Sequence, residues 1–238
     1  MFDFEHTDAL SYMARMANQS FDHIITDPPY SEAVHAARDN DSLEDGLQRN
    51  RVQNYEHMND LLIQAVSVEF ARLARRWVLV FCDIELVPNW KVGLTRAGLN
   101  YVRTGIWVKE NPPPQFSGDR PGVGYECYVL AHRPGPTAWN GGGRVAVHHH
   151  LTLIDRKRNG QGKIHPAEKP LSLMEELIAY YTNPAEHVLD PFAGVATTGV
   201  AALRLGRHFY GCETNEGYYK AGLERLNAAS MVQSLFLP

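Results

Sequence analysis

The stretch from His187 to Glu213 constrains the fold more than any other part of the chain. A short apolar strand, His187-Val188-Leu189, runs into Asp190-Pro191-Phe192-Ala193-Gly194-Val195-Ala196-Thr197-Thr198-Gly199. A helical stretch over 197–205 follows, closed by Gly206, and a new strand over 208–212 ends at Glu213. This is a compact βαβ unit with a small-residue turn at its first junction and an acid after its second strand. Glu213 lies 19 residues beyond Gly194, close to the roughly 20 that separate a dinucleotide-type turn from the acid binding ribose hydroxyls. Small residues let the backbone approach a ligand, and a carboxylate accepts two hydrogen bonds from a vicinal diol. The phosphate-binding glycine pattern is incomplete, with Val195-Ala196-Thr197 where Gly-x-x-Gly would continue, and no P-loop lysine follows. The turn therefore suits a nucleoside without phosphate, and S-adenosylmethionine is the candidate cofactor. An ordinary tight βα turn is the structural alternative.

A second motif stands far away in the chain. Asp27-Pro28-Pro29-Tyr30 ends the apolar run 21–26, which reads as a buried parallel strand. A proline pair after a strand can be no more than a rigid turn. With the acid and the aromatic, it can also hold an exocyclic amine against a carboxylate while a ring stacks on the base. That chemistry suits methylation of an amino group on a nucleobase flipped out of its stack.

Around these motifs, strands are expected over 1–6, 23–26, 78–82, 102–108, 127–132, 187–189 and 208–212. Helices are expected over 8–17, 58–76, 87–97, 171–181, 197–205 and 216–229. Their alternation predicts an α/β fold, a mainly parallel sheet covered on both faces. The runs 102–108 and 127–132 have no helix between them, so an antiparallel hairpin at one edge is expected. Both motifs then fall at carboxyl ends of strands, where open α/β sheets bind ligands.

Length favours a single domain over 1–238. No apolar run reaches the length of a membrane span, and the acidic start of the chain lacks signal-peptide features. A cytoplasmic protein is the expectation. Cys82, Cys127 and Cys212 are odd in number and lie in apolar strands, which predicts reduced core thiols. No metal site is expected. His148-His149-His150 would point to alternate faces of a strand, so they read as a polar or DNA-facing segment.

The net charge of −4 argues against a uniformly nucleic-acid-binding surface. Over 133–164, however, Arg133, Arg144, Arg156, Lys157, Arg158 and Lys163 face one acid, Asp155, among glycine-rich turns. Such a segment suits phosphate contacts. The open stretch 31–56 carries Arg38, Arg49 and Arg51 and reads as a lid or DNA-contacting loop.

With these motifs in place, the chain resembles the DNA amino-methyltransferases of permuted, β-class order, solitary or phage-associated members included. Asp-Pro-Pro-Tyr precedes the cofactor motif in that order. Thr7-Asp8-Ala9-Leu10 resembles the family's short Gly-Asp segment. Trp107-Val108-Lys109-Glu110-Asn111-Pro112 with Tyr125-Glu126 resembles its later strand pair, and His165-Pro166-Ala167-Glu168-Lys169-Pro170 the segment entering the cofactor site. Ala167 and Ala196 depart from the commoner Thr and Gly. A positive φ would strain Ala196, so a left-handed conformation is not expected there.

The resemblance implies a Rossmann-like methyltransferase fold, with the Asp190 strand beside the Asp27 strand. It implies a catalytic group of Asp27, Pro28, Pro29 and Tyr30. Asp27 and the Pro28 carbonyl would each accept one N–H, and Tyr30 would stack on the base. Cofactor contacts are implied for Asp8, Lys169, Asp190, Pro191, Phe192, Ala193, Gly194, Thr197, Thr198 and Glu213, and a DNA contact for Lys109 besides the basic residues above. An acid at the first position is associated mainly with adenine N6. Cytosine N4, RNA adenine and a non-catalytic nucleic-acid-binding subunit stay open; motif order counts against a protein-glutamine methyltransferase. Double-stranded DNA is the expected partner, and the short recognition segment suggests a homodimer or higher homo-oligomer.

Overall fold

The computed structural model describes residues 1–30, 58–112, 118–152 and 168–236. Its strands are β1 (Phe2–His6), β2 (His23–Thr26), β3 (Trp77–Cys82), β4 (Asn100–Lys109), β5 (Tyr125–His132), β6 (Val147–His150), β7 (His187–Asp190) and β8 (His208–Glu213). They form one sheet in the order β1-β8-β7-β2-β3-β5-β4-β6. Every neighbouring pair is parallel except those that β5 makes with β3 and β4. This is a Rossmann-like α/β architecture, and β7 does lie beside β2, with Ile24 opposite Leu189.

The α-helices among the described residues are α1 (Ala9–Ala14), α2 (Asp60–Leu73), α3 (Val87–Arg96), α4 (Leu171–Tyr181), α5 (Thr197–Arg204) and α6 (Glu216–Phe236). Local chemistry sets their ends. Asp8 caps α1 by accepting from Ser11 N–H, and Asn59 caps α2 by accepting from Leu62 N–H. α2 stops three residues before the expected 76 because Ala74 turns extended and bridges Phe21.

Strand alternation divides the core in two. Val78, Val80 and Cys82 of β3 pack with α1, α2 and α3, while Trp77, Leu79 and Phe81 pack with α4, α5 and α6. All six β3 residues are buried, which is why the strand reads as a continuous apolar run. Cys82, Cys127 and Cys212 are free and buried. No helix among the described residues is long and apolar enough to cross a membrane.

The sheet edge differs from expectation. The β4–β5 hairpin is not outermost, because β6 pairs parallel with β4 and takes the edge. His148 of β6 is buried and hydrogen-bonded to Tyr128 Oη at 2.9 Å, and it lies 3.2 Å from Glu176 on α4. His150 meets the same carboxylate at 2.6 Å. Two of the three histidines therefore lock the edge strand to α4 rather than facing solvent. Gly105 makes the arrangement possible, since a Cβ there would sit 2.0 Å from the Tyr128 side chain.

Candidate active site

β2 and β7 run side by side, so their carboxyl ends bring Asp27 and Asp190 to the same rim of the sheet. There a cavity of about 530 Å³ opens. Asp27, Pro28, Pro29 and Tyr30 line it together with Asp8, Lys169, Asp190, Pro191, Phe192, Ala193, Gly194, Thr197, Thr198 and Glu213. Leu62, Val66 and Met174 add an apolar wall. The volume lies within the range typical of small-molecule sites.

Asp27 stands on one wall with a quarter of its side chain accessible. Lys169 Nζ donates to its Oδ2 at 2.5 Å, while Oδ1 is buried and has no partner among the described residues. Burial pushes the Asp27 carboxyl above its ordinary range, with Lys169 opposing and Glu126 adding to the rise. Lys169 is buried, not a surface lysine. It spends its remaining donors on Glu126 Oε2 at 3.0 Å and on Tyr30 Oη at 3.1 Å. Burial alone would depress Lys169, but Asp27 and Glu126 hold it above its ordinary value. Tyr30 Oη donates to Glu126 Oε2 at 2.6 Å. Glu126, on β5, also pairs with Lys109 at 2.8 Å. Burial would raise Glu126, yet Lys169 and Lys109 hold it down to about 2.

The other wall is the β7–α5 turn. Glu213 Oε2 accepts from Gly194 N–H at 2.9 Å, and its Oε1 accepts from Asn215 N–H at 2.7 Å. Gly194 has φ +54, and a Cβ there would meet open space. Asp190 accepts from Thr26 Oγ1 (2.7 Å), Thr198 Oγ1 (2.6 Å) and Phe192 N–H (3.2 Å). Burial lifts Asp190 to about 6 against those hydrogen bonds. Thr197 meets Glu168, whose carboxylate is paired with Arg225 at 2.8 Å.

Ala196 corrects an expectation: it is left-handed, with φ 58 and ψ 38, at the N-terminus of α5. The chain must reverse between Ala193 and Thr197, and the turn closes with Ala196 N–H on the Ala193 carbonyl at 2.8 Å. The next helical bond, from Val200 N–H to the Ala196 carbonyl, is formed at 2.9 Å. Tertiary packing thus holds a conformation that costs an L-residue about 1–2 kcal/mol.

Several basic residues are not where the sequence put them. Arg133 donates to the carbonyls of Ala71 and Ala74 at 2.8 and 3.0 Å, capping the end of α2. It follows β5 at the end of the sheet opposite the cavity, because β5 runs antiparallel to β3. Arg144 donates to Tyr180 Oη at 2.5 Å, near the last turn of α4. Lys109 spends its charge on Glu126 inside the fold. Arg38, Arg49, Arg51, Arg156, Lys157, Arg158 and Lys163 lie outside the described residues, as do the whole 31–56 stretch and positions 153–164 of the 133–164 segment. Glu126 and Glu168 fall in segments quoted for the resemblance, but the sequence assigned neither a role; the further signal for Glu126 was a lone acid at the start of an apolar strand. Among the described residues no group of three or more His, Cys, Asp or Glu is placed to hold a metal ion.

Comparison with known proteins agrees with this geometry. Residues 21–224 match the DNA methylase family N6_N4_Mtase. The chain is 25% identical over 251 residues to the Type II methyltransferase M2.DpnII of Streptococcus pneumoniae, covering 94% of this chain and 88% of that one. The crystal structure of the M1.HpyAVI–SAM complex aligns with a TM-score of 0.71 at 26% identity, over 95% of this chain and 100% of that one. PvuII DNA methyltransferase (cytosine-N4-specific) shares the fold, with a TM-score of 0.67 at 17% identity over 98% of this chain and 91% of that one. A sheet that sets an Asp-Pro-Pro-Tyr loop beside a Gly194–Glu213 turn, with a family match across most of its length, makes this chain a member of the N6/N4 DNA methylase family.

Proposed function

We propose that this protein transfers a methyl group from S-adenosylmethionine to the N6 amine of an adenine flipped out of double-stranded DNA. The observation that carries the reading is the unpartnered, buried Oδ1 of Asp27 beside the cavity. A buried acceptor left without a donor costs about 1–3 kcal/mol, and an exocyclic N–H is the donor that removes the deficit. The Pro28 carbonyl accepts the second N–H. Held this way, the nitrogen becomes more pyramidal and its lone pair points out of the base plane. Tyr30, fixed through its hydroxyl, offers its ring to the base and offsets an unstacking cost of a few kcal/mol.

The cofactor wall fits S-adenosylmethionine. Glu213 has acceptor capacity left for the ribose diol, and Gly194 leaves open space where any side chain would intrude. Asp8, Asp190 and the apolar Phe192 complete a wall suited to a cationic nucleoside. Bound there, the cofactor supplies an electrophilic methyl group on a positively charged sulfur. Asp27, raised by burial, takes up the proton that the methylated amine releases.

Asp27 at the first position favours adenine over cytosine. The fold shared with a cytosine-N4 enzyme keeps cytosine N4 as the second reading, since both bases present the same kind of amine. Arg38, Arg49, Arg51, Arg156, Lys157, Arg158 and Lys163 are assigned to the DNA phosphates, and two copies of the single-domain chain to one duplex, in the cytoplasm. Nucleoside mass spectrometry of unmethylated DNA incubated with the protein and S-adenosylmethionine tests the assignment. N6-methyladenine is the expected product; N4-methylcytosine overturns the base, and no methylated base overturns the reading.

A further inference from the structure

The buried charges around Asp27 go beyond what methyl transfer itself requires. Four segments far apart in sequence contribute: the loop after β2 (Asp27, Tyr30), β4 (Lys109), β5 (Glu126) and the residue before Pro170 (Lys169). Their contacts form a closed ring. Lys169 donates to Tyr30 Oη, Tyr30 donates to Glu126, and Lys169 reaches Glu126 directly. The Lys169 ammonium is further held 5.2 Å from the Tyr30 ring centre and 5.1 Å from that of Phe81. An ammonium has three donors, and Asp27, Glu126 and Tyr30 take all three. Lys169 is therefore committed to Asp27, Tyr30 and Glu126 while its side chain still lines the cavity.

The charges also balance, with Asp27 and Glu126 against Lys109 and Lys169. Pro28 and Pro29 carry no backbone N–H, so the tetrapeptide offers few donors of its own to fix the Asp27 carboxylate. The ring supplies them from outside the loop. A supporting shell of this kind matters because displacement of about 1 Å at a reacting group can cost roughly 100-fold in rate.

We propose that Glu126 and Lys169 are positioning residues that set Asp27 and Tyr30 in their working geometry before the base arrives. Lys169 fixes one oxygen of Asp27 and leaves the other for the amine, while Glu126 anchors both Lys169 and the Tyr30 hydroxyl, with Lys109 balancing its charge. This inference rests on the methyltransferase reading above.

The test is steady-state kinetics on DNA for Glu126→Ala, Glu126→Gln and Lys169→Met, with S-adenosylmethionine affinity by calorimetry and folding by thermal unfolding. Glu126→Ala is expected to lower kcat by ~10- to 100-fold, with the KM for DNA and the cofactor Kd within about threefold of the parent. Glu126→Gln keeps an acceptor for Tyr30 and should retain more activity than Glu126→Ala. It is isosteric, so it decides the matter if Lys169→Met does not fold. Folded variants that turn over within about twofold of the parent overturn the inference, as does a loss expressed wholly in KM. A parent chain that methylates no DNA overturns the methyltransferase reading, and this inference with it; an active parent with indifferent variants overturns the inference alone.

Discussion

Glu213→Gln is a sharper probe of the cofactor wall than truncation. The parent carboxylate already accepts two backbone N–H groups, one on each oxygen, from Gly194 at 2.9 Å and Asn215 at 2.7 Å. A carboxylate has about four acceptor positions, and Thr214 Oγ1 also donates weakly to Oε1 at 3.4 Å, so roughly one to two remain for a ribose diol. Glutamine keeps the volume but replaces one oxygen with an NH₂. Whichever way the amide turns, a donor then faces a backbone donor. Leaving one N–H unsatisfied costs about 1–3 kcal/mol, and in a chain of this size each 1 kcal/mol lowers Tm by about 2–4 °C. Loss of a charge-assisted contact to the ribose costs about 1.5–3 kcal/mol more in binding, or ~10- to 100-fold in Kd. Calorimetry with S-adenosylmethionine and a thermal melt of the ligand-free protein read the two effects separately. A variant with Kd within about twofold of the parent and Tm within about 1 °C would refute the role given to both oxygens.

Other positions give independent checks. Arg133→Ala should lower stability by about 1–2 kcal/mol through loss of the α2 cap, yet leave the salt dependence of DNA binding unchanged; a flattened salt slope would return Arg133 to the DNA. At Ala196, glycine relieves about 1–2 kcal/mol of left-handed strain but forfeits a buried methyl and rigidity worth a similar sum, so near-neutral stability is expected. Valine there should lower Tm clearly, and a valine variant that melts with the parent would contradict the left-handed geometry. Although burial would lift Glu186, hydrogen bonds from His23 and the Asn183 backbone hold it down to about 2. A depressed carboxyl stabilises the fold above its unfolded pKa, and that contribution, up to about 3 kcal/mol, is lost as pH falls from about 4.5 towards 2. Denaturation of Glu186→Gln should therefore depend less on pH over that window than the parent; equal dependence would reject the assignment.

Elements whose pattern is written locally were legible in the sequence. β2, β3, β7 and β8 are buried runs ending in turn chemistry, and α4 begins after Pro170 and ends at Tyr181 as the apolar spacing indicates. The motif residues lining the cavity, Asp27 to Tyr30 and Asp190 to Gly194, were readable for the same reason, since they lie at the ends of β2 and β7. β6 was not legible, because Val147–His150 carries three histidines, and the partners that hold His148 and His150, Tyr128 and Glu176, arrive from elsewhere in the chain. Ala196 misled because local propensity opposes the conformation that the surrounding turn imposes. The ring of Lys169, Glu126 and Tyr30 joins residues 96 and 139 positions apart, and pairwise proximity at that range is a property of the fold, not of any motif. Arg133 was read as a DNA contact from local charge and Lys109 from the resemblance, whereas they are spent on a helix end and a buried acid.

The measurement that tests the central claim most directly is single-turnover methyl transfer to DNA by the parent and by Asp27→Ala, alongside S-adenosylmethionine affinity for each. In the variant Lys169 keeps Glu126 as its partner, so the fold and the cofactor wall should persist. The account predicts that Asp27→Ala binds the cofactor within about threefold of the parent and transfers methyl at least ~100-fold more slowly. Transfer within about tenfold of the parent would contradict the account, because the amine would then be held by something other than the Asp27 carboxylate.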